Sequence, residues 1–457
     1  MDLSLPQELL KSLDRVRDFD VEQFLAAHER PATVSLRYNP HKFLESIQNG
    51  AIWPLHASPV PWSAYGYYLK ERPVFTLDPA FHAGAYYVQE ASSMFIEHVW
   101  KQLMMDQDGL RVLDLCAAPG GKTTLLSSMP GIKLLLANEI IKSRVSILYE
   151  NVVKWGDPKI LVSNNDPAEV GQLHEFFDVM LVDAPCSGSG LFRKDNSAIS
   201  EWSAEAVKHC SERQKRILAD SLPALKENGI LIYSTCSFSS EENEDIMDWL
   251  ISKNEMESIS IDIPSKWGIQ EVESSISGIG YRFMPHKVEG EGFFVACFRK
   301  KYHTGELSLR ERKSIFLVQR EKLMMEHWLK DVAMMECMKT KDDQVICVPL
   351  DIVKEQMQLS ENLNLRKSGL HAGALIRDQY LPGHELSQSL WVHDETPQIS
   401  LDGSEALEFL RKMTIRIPVM DKGWYLVHHE GYHLGWIKHL GNRVNNYYPA
   451  SWRILMS

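Results

Sequence analysis

The sequence predicts an α/β protein built on a parallel, doubly wound sheet, with one smaller unit before the sheet and another after it. Three observations carry this. Between residues 95 and 301, short apolar runs alternate with helix-length segments, the pattern of strands joined by crossover helices. The first of these runs leads straight into a turn of small residues and glycines, CAAPGGK. At roughly 150 residues per domain, a chain of 457 residues corresponds to about three domains.

The elements follow in order. Residues 1–94 read as an accessory N-terminal α+β unit, with helical spacing in PQELLKSL and VEQFLAAH and then a Pro/Trp/Tyr-rich stretch, WPLHASPVPWSAYGYY. In the unit 95–301, RVLDLCA, IKLLLANE, KILVSN, FDVMLVDAP and GILIYSTCS read as buried strands, and FFVACFRK closes the series. A sheet of this kind binds its ligands at the carboxyl ends of the strands. Residues 302–365 are charged and Met-rich and are expected to be a helical connection, and 366–457 form a Gly-rich, short-stranded terminal unit. On this division, a chain ending near residue 301 is expected to keep its ligand site.

Composition excludes several classes. With 44% hydrophobic and 24% charged residues, the chain has ample material for more than one core. No run approaches the 18 or so apolar residues of a membrane helix. The start, MDLSLPQELLKSLDRV, is acidic and amphipathic and lacks the basic-then-apolar order of an export signal, so a cytoplasmic protein is expected. Seven scattered cysteines without a CxxC argue against a disulfide framework, a zinc ribbon or any metal centre. The net charge of −12 excludes coating of nucleic acid by bulk electrostatics. Locally the balance reverses. Residues 299–330 carry nine Lys/Arg against four Glu, and 409–453 carry seven against one Asp and one Glu. The second segment interleaves its cations with Trp424, Tyr425, Trp436, Tyr447, Tyr448 and Trp452, a mixture suited to base stacking and phosphate contact.

The glycine turn runs Asp114-Leu115-Cys116-Ala117-Ala118-Pro119-Gly120-Gly121-Lys122-Thr123. Small residues there let the backbone approach a ligand at a helix N-terminus. A phosphate-binding P-loop would need glycine where Cys116 stands, so that reading fails. The next three strands each end in an acid, Glu139, Asp166 and Asp183. Carboxylates would repel a pyrophosphate but suit hydroxyls, an amino group and a cationic centre, the features of S-adenosylmethionine. Glu139 is placed to accept the ribose hydroxyls and Asp166 the adenine amino group.

Two cysteines end adjacent strands at the same edge, Cys186 in DAPCS and Cys236 in STCS. Cys116, Cys210, Cys297, Cys337 and Cys347 are read as small packing residues. A thiolate at this edge has a chemical use. Carbon 5 of cytosine is a poor nucleophile until a thiolate adds to carbon 6 and turns the ring into an enamine. Asp183 is placed to hold the N3/N4 edge of the base. Lys122 would favour the thiolate, since a free thiol has a pKa of about 8.5.

DLCAAPGGKTT, DAPCSGSGLFRKD, YSTCSFSSEENE and PHKVEGEGFFVA together resemble the Nop/Sun family of RNA cytosine-C5 methyltransferases, and SLRYNP and YYVQEASSM resemble that family's N-terminal signatures. The resemblance implies a Rossmann-like class I methyltransferase sheet. It makes Cys236 the nucleophile and Cys186 the thiol that assists product release. Cys116, Ala117, Ala118, Pro119, Gly120, Gly121 and Lys122 then bind S-adenosylmethionine together with Glu139, Arg144, Asp166 and Asp183. The FRKD form resembles the branch acting on small-subunit ribosomal RNA. GLHAGALIRDQYLPGHELSQSL and GYHLGWIKHLGNRVNNYYPASWRI resemble that branch's PUA-like, RNA-binding tail. The implied activity is methylation of carbon 5 of cytosine in 16S rRNA through a Cys236–carbon 6 adduct. The partner is ribosomal RNA or the 30S subunit, with no DNA and no membrane, and the protein is expected to be a monomer. The same chemistry on tRNA or 23S rRNA, and a non-catalytic ribosome-assembly factor, are the alternatives.

Overall fold

The computed structural model describes residues 5–14, 16–42, 57–252, 255–305, 310, 313–377, 379–415 and 420–456. The first residues of the WPLHASPVPWSAYGYY stretch fall outside them. Both N-terminal helices form where their spacing predicts, at Gln7–Leu13 and Val21–His28, the second capped by Asp20, which accepts from the Gln23 amide at 2.9 Å. An antiparallel sheet follows, made of β1 (Val34–Tyr38), β2 (Ser58–Pro59), β3 (Gly66–Leu69) and β4 (Tyr86–Tyr87) in the order β2-β3-β1-β4.

The central sheet contains every strand read from the sequence. They are β5 (Leu110–Asp114), β6 (Ile132–Asn138), β7 (Ile160–Ser163), β8 (Phe177–Asp183) and β9 (Leu225–Thr235), all parallel. Beyond them come β10 (Met256–Ile259), β11 (Gln270–Glu273), β12 (Ile279–Phe283) and β13 (Phe293–Lys300). The order is β11-β12-β13-β9-β8-β5-β6-β7, with β10 pairing β13. β13 runs antiparallel to β9, so the sheet is mixed rather than wholly parallel. Its runs are continuously apolar because both faces are covered. Val112, Leu135, Val162 and Ile232 enter one core, and Leu113, Leu136, Leu161 and Leu231 enter the other.

The segment 302–365 departs from the expected helical connection. It carries β14 (Ile315–Phe316), β15 (Met335–Lys339) and β16 (Gln344–Pro349), with α-helices at Gln319–Leu323 and Val353–Asn362. MECMK and QVICVP place apolar residues for pairing across a turn at Asp343, whose φ is +58°. Charge and methionine content do not report that pairing. Cys337 and Cys347 stand opposite each other in this hairpin and form a disulfide, with Cα atoms 4.1 Å apart, where packing thiols were expected. Ten residues of separation look like scatter until the hairpin folds them together.

After β17 (Leu365–Lys367) come β18 (Leu370–Ile376) and β19 (Gln379–Pro382), which complete a sheet in the order β14-β15-β16-β18-β19. A boundary at 366 therefore cuts through one sheet. β17 pairs antiparallel with β7 and extends the central sheet. The terminal sheet is β20 (Gln398–Ser400), β21 (Gly423–His429), β22 (Tyr432–His439) and β23 (Val444–Asn446), in that order. Its Ile399, Val427 and Leu434, with Phe409 of the helix Gly403–Leu410, share one core with Leu36, Tyr38, Leu69 and Tyr86 of the N-terminal unit.

Candidate active site

The parallel strands deliver their carboxyl ends to one edge. β5 ends in Asp114, 1% exposed, which accepts from the Thr123 hydroxyl at 2.6 Å. Its Oδ1 is buried and meets no hydrogen-bond donor. Burial raises this carboxyl to about 7; the Thr123 bond opposes the rise and the Asp183 charge adds to it.

From Asp114 the chain turns through Cys116–Pro119 to Gly120, whose φ of +112° suits glycine, and enters the helix Gly121–Ser127. A Cβ on Gly121 would stand 3.2 Å from the Tyr87 ring, so the backbone lies close against the N-terminal unit. The Ala117 amide donates to the Asn138 carbonyl at 2.8 Å, Arg144 donates to the Ala118 carbonyl at 2.5 Å, and Asn151 donates to that of Pro119 at 2.8 Å. The buried Arg37 guanidinium donates to Gln89 at 2.8 Å and Thr124 at 2.7 Å, and stacks on Trp155. Burial lowers it to about 9, so it remains a cation at neutral pH. Through these bonds the N-terminal sheet fixes the helix that follows the turn.

At β8 and β9, Lys122 Nζ lies 2.7 Å from Asp183 Oδ2, while Oδ1 accepts from the Ser234 hydroxyl at 2.8 Å. Burial alone would depress the Lys122 ammonium; Asp183, Asp114 and Cys236 outweigh it and raise it. The Cys186 and Cys236 sulfurs are 3.0 Å apart. The bond to Cys236, burial, and the charges of Cys236 and Glu242 hold the Cys186 thiol well above its ordinary value. Behind them, buried Glu242 accepts from the Ser187 amide at 2.8 Å and from the Ser187 and Ser237 hydroxyls at 2.5 Å each. Gln214 donates to the same carboxylate at 3.1 Å. One acid thus ties together the loops carrying both thiols.

A cavity of about 370 Å³ opens at this edge, lined by Asp114, Cys116–Pro119, Gly121, Lys122, Arg144, Asp183 and Cys236. Glu139 lies beside it, accepting from the Ile141 amide at 2.8 Å with Oε2 3.4 Å from Arg144. Asp166 does not line the cavity; its side chain caps the helix Pro167–Gly171 through the Ala168 amide at 3.0 Å. The sequence reading missed Tyr87, Glu90, Glu291 and Phe293, which also line the wall, and Glu242 behind it. Each lies inside a quoted motif, but only the fold turns it toward the edge. S-adenosylmethionine fits the site: its hydroxyls, amino group and positive sulfur suit an acid-rich wall in which Asp114 Oδ1 and Glu139 Oε2 are buried without a hydrogen-bond donor.

Comparison with known proteins gives consistent matches along most of the chain. Residues 101–299 match the family model for 16S rRNA methyltransferase RsmB/F. Residues 5–91 match the N-terminal domain of 16S rRNA methyltransferase RsmF, and 396–454 the methyltransferase RsmF PUA domain. The ribosomal RNA small subunit methyltransferase F of Shewanella piezotolerans is 30% identical over 94% of this chain and 93% of its own length. The protein of the same name from Vibrio parahaemolyticus is 30% identical over 97% of both. Among solved structures, a methyltransferase homolog protein from Pyrococcus horikoshii is 28% identical over 65% of this chain and all of its own, with a TM-score of 0.51. NSun6 from Pyrococcus horikoshii, solved with SFG, shares the fold at 19% identity, a TM-score of 0.53 and 65% coverage of this chain.

Proposed function

Because the chain belongs to the 16S rRNA methyltransferase RsmB/F family, we propose that its cavity methylates carbon 5 of a cytosine in 16S rRNA, with Cys236 as the nucleophile. It is an S-adenosylmethionine-dependent RNA methyltransferase, and the cofactor supplies an electrophilic methyl group. Residues Cys116 to Lys122, with Glu139, Arg144 and Asp183, hold it. The target base leaves its stack to enter the cavity. Lys122, kept charged by Asp183, stabilises the Cys236 thiolate, and the Cys186 thiol donates to the same sulfur. The thiolate forms a bond to carbon 6, which moves the ring electrons to carbon 5 for attack on the methyl group. Asp183 holds the N3/N4 edge. Loss of the carbon-5 proton to water restores the carbon 5–carbon 6 double bond and expels the Cys236 thiolate, which Cys186 receives with its hydrogen bond. The protein acts in the cytoplasm as a monomer on rRNA or the 30S subunit, and the terminal sheet contacts the RNA through Trp424, Tyr447 and Lys438.

The pair of sulfurs 3.0 Å apart carries this reading. Cys236→Ser should abolish tritium transfer to 16S rRNA while leaving cofactor affinity intact. Cys186→Ser should attack, methylate and stall, leaving an RNase-sensitive protein–RNA band on a denaturing gel. The double variant should show none. An adduct in the Cys236 variant and none in the Cys186 variant would reverse the roles. Bisulfite sequencing of 16S rRNA, 23S rRNA and tRNA, with and without the protein, identifies the substrate.

A further inference from the structure

A second cavity, of about 430 Å³, lies next to the first and is lined by Arg30, Thr33, Arg193, His286, Lys287 and Glu289, among others. Three chain segments build it, and two come from the FRKD and PHKVEGEG motifs. Arg193 joins them. Its side chain is 6% exposed and donates to the Pro31 carbonyl at 2.7 Å and the Gly290 carbonyl at 3.2 Å. Its Nε is buried without an acceptor, 3.7 Å from Glu291 Oε2. Glu291 lines the catalytic cavity and Gly290 the second one, so a single peptide step separates them. In a chain of net charge −12, this cavity gathers three cations, Arg30, Arg193 and Lys287, against one lining carboxylate, Glu289. Lys287 Nζ has one backbone acceptor, the Asp18 carbonyl at 3.0 Å, and both ring nitrogens of His286 are buried without partners.

A polynucleotide whose base occupies the first cavity must run its flanking phosphodiesters over the rim. The geometry points to the second cavity as the seat of a backbone phosphate next to the target cytosine, held by Arg30 and Lys287 with Arg193 as the fixed cation between the two chambers. This rests on the reading of an RNA substrate. Phosphate contacts set position rather than sequence, so the groove fixes which nucleotide sits over Cys236.

Binding of a 16S rRNA transcript, read by fluorescence anisotropy across a salt series, tests this without requiring methyl transfer. Its failure is thus distinct from failure of the proposed activity, which methyl transfer to the same transcript reads. Neutralising one single-strand phosphate contributes about 0.7 to the salt slope, so Arg30→Ala with Lys287→Ala, which empties that seat, should lower it by about 0.7 and weaken binding about tenfold near physiological salt. Cofactor affinity should stay at the wild-type value. Arg30→Lys with Lys287→Arg should keep the slope, and Glu289→Gln should tighten binding about threefold. On the unaltered protein, bound transcript should shield Lys287 from an amine-acylating reagent. Wild-type affinity and slope in the double alanine variant, or equal acylation with and without RNA, would overturn the assignment.

Discussion

Asp114 is a carboxyl that burial holds near neutrality while one of its oxygens waits without a donor. Unfolded, it titrates near 3.8; folded, near 7. Between those values the folded state binds more protons than the unfolded one. This group's contribution to stability is therefore full below about pH 4 and is lost as pH rises through 7. Asp114→Asn should flatten that decline, measured as the denaturation midpoint of the cofactor-free protein from pH 5 to 8. A cationic cofactor beside the same carboxyl favours its charged form. Cofactor affinity should then rise with pH up to about 7, with proton release on binding below it, and both effects should vanish in Asp114→Asn. An unchanged pH profile in that variant would detach Asp114 from the cofactor. Lys122, Asp183 and Cys236 were legible from the sequence because each ends or follows a strand beside small residues. The burial of Asp114 was not, since it depends on Thr123 and on neighbours brought in by folding.

At the level of elements, the ends of β8 and β9 are held in register by Glu242. Removing its carboxylate takes an acceptor from the Ser187 amide, two hydroxyls and the Gln214 amide. At about 1–3 kcal/mol per buried unsatisfied group, partly relieved by relaxation, Glu242→Ala should destabilise the fold by about 2–4 kcal/mol. Turnover should fall further than cofactor affinity, because the loops it joins carry the thiols. Equal stability by urea unfolding would mean that water replaces the acid. The sheet strands were readable as continuous apolar runs bounded by turns. The β15–β16 hairpin was not, because MECMK mixes two charges and a methionine pair in five residues and its pairing partner lies across a turn. The same hairpin hid the Cys337–Cys347 pairing.

For the whole molecule, the expectation that a chain ending near residue 301 keeps its cofactor site meets an obstacle. β17 pairs with β7, and the Asn364 amide donates to Asn165 Oδ1 at 3.0 Å, next to the acid row. Val348, Ile352, Leu359 and Leu363 belong to the same core as Leu134 and Leu161. Truncation at 301 should uncover that face and abolish cooperative unfolding together with cofactor binding; calorimetry on the shortened chain checks it, and retained cofactor affinity would restore the simple division into units. The contribution of the terminal sheet to RNA affinity is therefore better measured by surface substitution than by deletion.

The core shared by the first and last sheets also has a consequence in time. Tyr86 leaves the ribosome long before Ile399, its companion in that core. At about 5–20 residues per second, the roughly 310 intervening residues take about 15–60 s to synthesise. Throughout that interval one face of the N-terminal sheet has no native covering. Arg37 of that sheet also braces the helix beside the cavity, so the cavity and this late-completed core rest on one support.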